Sequence, residues 1–135
     1  MANKRMFNKT ICRTDNFVAM PPTAQNLYFH LGLEADDDGF VTPQMVMKTL
    51  GSPEDDLKIL VAKGYVIPFD KKVVVITHWK IHNKIAKDRY HRTIYQEEFK
   101  GLSRKQNVYN LFTKDRLALD ENRLGVDQEK NLTAE

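Results

Sequence analysis

Cysteine, glycine and long apolar runs are all scarce in this sequence, and each shortage removes a class of protein. A single cysteine, Cys12, among 135 residues cannot close an internal disulfide. A disulfide-stapled secreted scaffold is therefore excluded, and a reducing cytoplasm is the expected compartment. Cys12 has no basic cluster at catalytic spacing around it and reads as an inert thiol. No stretch reaches the roughly eighteen consecutive apolar residues of a membrane span. The opening Met1–Phe7 is cationic without an apolar stretch behind it, so it does not read as a secretory signal. The six glycines form no phosphate-binding loop, and neither a Gly-x-Ser-x-Gly elbow nor a Cys-x-x-Cys pair occurs. The sequence thus gives no support to an enzyme, and no cofactor or metal is expected. No internal repeat is visible.

What is present is a strong asymmetry of charge. Residues 1–70 hold seven Lys and Arg against nine Asp and Glu, whereas residues 71–110 hold ten against three. Residues 111–135 return to four against six. The net charge of +3 therefore conceals a local excess of cations in the third quarter of the chain, as expected of a protein that meets a polyanion.

The order of elements can be read from periodicity and turn residues. Ala24, Leu27, Tyr28 and Leu31 fall at i, i+3, i+4 and i+7, which predicts a helix after Pro21-Pro22 that ends near Gly32. The acidic run Asp36-Asp37-Asp38-Gly39 lacks the alternate acids and distal glutamate of a calcium loop and predicts a turn into a short strand at Phe40-Val41. Thr42-Pro43 opens a second helix with Val46, Met47 and Leu50 on its apolar side, closed by Gly51. Ser52-Pro53 opens a third, with Ser52 expected as the cap, Leu57, Leu60 and Val61 buried, and Lys63-Gly64 at its end. Two strands, Tyr65–Pro68 and Val73–Thr77, flank the loop Phe69–Lys72 and predict a hairpin. A helix-turn-helix followed by a hairpin is the order of a winged helix. Downstream, the apolar stripe switches sides between Ile81/Ile85 and Ala86/Tyr90/Ile94, which predicts a short helix near Asn83–Arg89 and a break at Tyr90–Thr93. Val108, Leu111 and Phe112 suggest one more weak helix, and the end of the chain is polar. The expected fold is α+β, mainly α. A winged helix-turn-helix domain would span 1–100, with a polar extension over 101–135.

The chemistry-bearing stretch begins at the hairpin loop and runs to Arg92. Its candidate DNA-binding residues are Lys71, Lys72, Lys80, His82, Asn83, Lys84, Lys87, Arg89, Tyr90 and Arg92. Lysine and arginine neutralise phosphates and release counterions. Asn83 could reach a base edge or phosphate, Tyr90 could lie on sugar or base, and His82 could donate to phosphate. Six such contacts would give a slope of log K against log salt of roughly −5. His78 and His82 are four apart, but a zinc site would need two more ligands, and a strand end does not align this spacing. Trp79, Ile81 and Ile85 read as core. The amino end of the third helix, Glu54-Asp55-Asp56, opposes the usual entry of that helix into the major groove.

Leu27–Gly32, Glu34–Val41, Asp55–Lys58, Ile67–Phe69, Val73–Ile76 with His78–Ile81, and Lys87–Tyr90 together resemble the N-terminal domain of phage replisome organisers from Gram-positive hosts. The resemblance is collinear over about residues 5–100. It implies a winged helix, binding to double-stranded DNA at a phage origin in the cytoplasm of the bacterial host, and recruitment of host replication helicase or loader proteins. Members of that family commonly continue into a longer C-terminal region. A homo-oligomer stays open, and no membrane is involved. The rival readings are a transcriptional regulator of the same fold, and a protein-interaction module whose acids at 36–38 and 54–56 meet a basic partner.

Overall fold

The computed structural model describes residues 4–70 and 72–111. Two short helices, α1 (Lys9–Cys12) and α2 (Asp15–Val18), lead into α3 (Pro22–Glu34), followed by β1 (Phe40–Val41), α4 (Pro43–Leu50) and α5 (Glu54–Ala62). Strands β2 (Val66–Phe69) and β3 (Val73–Ile76) form a hairpin, and α6 (Trp79–His82), α7 (Gln96–Lys100), β4 (Leu102–Ser103), a 3-10 turn (Lys105–Asn107) and β5 (Asn110–Leu111) follow within the described residues. The fold is α+β: helices around a three-stranded antiparallel sheet of order β1-β3-β2, plus the two-stranded β4-β5 ribbon. None of the described helices is long and apolar enough to cross a membrane.

The apolar stripe of α3 dictates the core. Ala24, Leu27, Tyr28 and Leu31 are fully buried and share one cluster with Phe17, Leu60, Trp79 and all four residues of β3. Strand β3 is central in its sheet and buried on both faces, which is why it reads as four consecutive β-branched apolar residues without alternation. Helix α4 begins at Pro43 as the sequence predicts, although Thr42 makes no side-chain cap bond, and it ends where Gly51 takes a left-handed φ of 68°. Ser52 does not cap α5. Its hydroxyl instead donates to the Asp56 carboxylate at 2.6 Å, and Thr23 donates to the other oxygen at 3.0 Å. A carboxylate only 3% exposed needs those donors more than the helix end does.

Two segments differ from expectation. The helix predicted over Asn83–Arg89 lies earlier, at Trp79–His82, and residues 83–95 hold only isolated turns. The amino-terminal segment of the chain accounts for the early stop. The Met6 N–H donates to Asn83 Oδ1 and the Asn8 N–H to His82 Nδ1, each at 2.8 Å, which turns both side chains inward. In place of a weak helix after Leu102 there is the β4–β5 ribbon, and Leu102 and Tyr109, just before β5, are fully buried in the main core. The core thus takes in Leu102 and Tyr109 from the segment read as a polar extension. Phe112 and the polar end lie outside the described residues.

Candidate nucleic-acid interface

The acidic turn between α3 and β1 organises the region where binding residues are expected. Asp36 accepts the N–H groups of Asp38 and Phe40 on one carboxylate oxygen, closing a tight turn in which Gly39 has φ +92°. A Cβ on Gly39 would stand 2.6 Å from Trp79, so glycine is required there. The Trp79 indole donates to the Asp37 carbonyl at 2.9 Å, and the Tyr109 hydroxyl to the Asp38 carbonyl at 2.8 Å. The turn thus faces inward. Asp37 is 1% exposed and Asp38 fully buried. Burial raises the Asp36 carboxyl above its ordinary range, while hydrogen bonds oppose that rise.

The ten contacts expected from the sequence separate into three groups. Lys84, Lys87, Arg89 and Arg92 are exposed, fall within nine residues, and show no ion pair among the described residues. These four form a basic loop. Lys80, Tyr90, His82 and Asn83 are held by the protein itself. The Lys80 ammonium is 3.7 Å from Asp38 and lies over the Tyr90 ring at 5.7 Å. The Tyr90 hydroxyl donates to the Asp38 carboxylate at 2.7 Å, and burial together with that anion pushes its pKa well above the ordinary tyrosine value. His82 and Asn83 are 4% and 5% exposed, so neither can serve as the phosphate or base contact expected of it. Both His82 nitrogens are engaged, one by the Asn8 N–H and the other by the Tyr28 hydroxyl at 2.5 Å.

Lys72, at the hairpin tip, is exposed with φ 59°, and Lys71 lies outside the described residues. The tip and the acidic turn lie at opposite ends of β3. Val73 pairs with Phe69 at one end of β3, while the Ile76 N–H at the other end donates to Gly39, next to the acidic turn that holds the loop. The two ends of β3, Val73 and Ile76, are three residue steps or about 10 Å apart.

Burial also sorts the other residues singled out in the sequence. Asp37 and Asp38 are buried and Asp36 is half-buried, so the acids at 36–38 are turned from solvent, whereas at 54–56 only Asp56 is buried and Glu54 and Asp55 stay exposed. Trp79 is 1% exposed and belongs to the core, and Ile81 and Ile85 are half-buried. Among the described residues no group of three or more His, Cys, Asp and Glu side chains could hold a metal.

Two features had no signal in the sequence. One is the attachment of the basic loop to Asp37 and Asp38, which spans more than fifty positions. The other is a groove of about 630 Å³ between α3, α4 and residues 91–95, floored by Phe40, Val46 and Tyr95, with Met45 and Ile94 exposed at its rim. No protein family, curated protein or solved structure matches this chain.

Proposed function

We propose that the chain binds duplex DNA through its exposed basic loop, as a winged-helix domain serving phage replication initiation in the bacterial cytoplasm, and performs no catalysis. The observation that carries the reading is the clustering of Lys84, Lys87, Arg89 and Arg92 on one solvent-facing loop while the carboxylates of Asp37 and Asp38 are turned inward. Such a loop supplies sequence-independent affinity through counterion release. Support for the winged helix comes from the order α3-β1-α4-α5-β2-β3 and the strand order β1-β3-β2, with β2–β3 as the wing. The replication role rests on the likeness of residues 5–100 to phage replisome organisers, as does any recruitment of host helicase or loader proteins.

Binding departs from the usual helix-turn-helix manner. Exposed Glu54 and Asp55 at the amino end of α5 would oppose phosphates in the major groove. The loop, with four cations, is therefore the main contact, and Lys72 at the wing tip a secondary one.

The test is titration of random and phage-origin duplexes at several salt concentrations. Four phosphate contacts give a slope of log K against log salt of about −4. Lys84→Glu with Lys87→Glu should weaken binding to every duplex by more than about tenfold and make the slope shallower by about 2. Unchanged affinity with a normal melting curve would move the contact surface elsewhere. A preference for origin duplexes separates replication initiation from a palindrome-binding regulator of the same fold.

A further inference from the structure

The loop between α6 and α7 contains neither a strand nor a helix, yet three closely spaced anchors fix it. The Tyr90 hydroxyl donates to Asp38, the His91 N–H donates to Asp37 Oδ2 at 3.0 Å, and the Thr93 N–H donates to Asp38 Oδ2 at 2.9 Å. The carboxylates that accept them are buried, and each faces one cation from outside the loop. Arg5 lies 3.1 Å from Asp37 and Lys80 lies 3.7 Å from Asp38. Arg5 and Lys80 therefore offset the two buried anions, and Lys87, Arg89 and Arg92 stay on the outside of the loop.

We propose that Asp38, assisted by Asp37, is a positioning residue for nucleic-acid binding. It never touches DNA, but it holds residues 87–93 in one conformation that presents Lys87, Arg89 and Arg92 together. The inference rests on the duplex-binding reading above. A free loop would carry the same charges but would have to be ordered on binding, and that conformational cost would be subtracted from affinity. A carboxylate suits the task because it can accept several donors at once, whereas an amide in its place offers fewer acceptor sites.

The variants are Asp38→Asn and the gentler Tyr90→Phe, which removes one hydroxyl from a half-buried ring. Two quantities are read on the full chain: amide hydrogen exchange at His91 and Thr93, and duplex affinity as a function of salt. In Asp38→Asn, exchange at those two amides should accelerate by more than about tenfold while β3 amides stay protected. Duplex affinity should fall about tenfold with the salt slope unchanged, because every cation is retained. Removal of a cation behaves differently, since it flattens the slope. Tyr90→Phe should show the same pattern at smaller amplitude, and it carries the test if Asp38→Asn fails to fold. Faster exchange with unchanged affinity overturns the positioning role alone. Absence of binding by the unaltered protein overturns the duplex-binding reading and this inference with it. In that case the exchange data still report whether Asp38 restrains the loop.

Discussion

His82 accepts the Asn8 N–H on Nδ1, so its neutral ring must carry the proton on Nε2, facing the Tyr28 hydroxyl. Protonation would set an N–H against an N–H inside a site 4% exposed. Burial, and then the neighbouring His78, lower its pKa from 6.5 to about 4. The sign of the stability effect follows. Between pH 6.5 and about 4 the unfolded chain binds a proton that the folded chain refuses, so stability present above pH 6.5 is lost as the pH falls. The slope attributable to this ring is at most about 1.4 kcal/mol per pH unit. His78, also lowered by burial, adds in the same direction. Urea midpoints at pH 7, 6 and 5 should decline accordingly, and His82→Gln, whose amide oxygen can still accept the Asn8 N–H, should decline less steeply. Equal slopes for both proteins would mean that His82 does not titrate in this window. The same burial that gives His82 its acid sensitivity keeps it from the protein surface.

Among the elements, the hairpin allows a direct test of what its tip contributes. Lys72 holds φ 59°, a conformation that a residue with a Cβ adopts at a cost. Lys72→Gly should therefore stabilise the fold by about 0.5–1 kcal/mol in thermal or urea unfolding. Its duplex affinity should fall less than that of Lys84→Glu with Lys87→Glu, since it removes one cation whereas the double variant reverses two. A larger fall would make the hairpin the principal contact. Elements as local as this one were legible in the sequence. Periodicity located α3, β-branched runs located β2 and β3, and Gly51 and Gly64 marked the ends of α4 and α5, both with positive φ. Within residues 83–95 the break at Tyr90–Thr93 was legible, but the absence of a helix over Asn83–Arg89 was not. Their conformation is set by the inward turn of His82 and Asn83 against Met6–Asn8 and by carboxylates 52 to 55 positions away, and no periodicity records such contacts. The β4–β5 ribbon was missed because strands of two residues are too short to show alternation. For the candidate site, charge counting identified the four exposed cations of the loop. It could not separate them from Lys80, His82, Asn83 and Tyr90, because sequence does not give burial.

At the scale of the whole molecule, α3 acts as a spacer between charges of opposite sign. Thr23 in its first turn bonds Asp56, which places the acidic amino end of α5 beside the start of α3. The turn Asp36–Gly39, which anchors the basic loop, follows the other end of the same thirteen-residue helix. A helix of that length spans about 20 Å, twice the Debye length of about 10 Å at 0.1 M salt. On the duplex-binding reading, Glu54 and Asp55 should therefore exert little repulsion on phosphates bound at the loop, although α5 is the helix that a helix-turn-helix reading would send into the groove. Glu54→Gln with Asp55→Asn decides between these orientations. If DNA lies against the loop, duplex affinity at 0.1 M salt should change by less than about twofold. If α5 faces the duplex, removal of two charges from the contact should tighten binding by about tenfold and steepen its salt dependence. The second outcome would transfer the interface to α5 and leave the four loop cations as a solvated face.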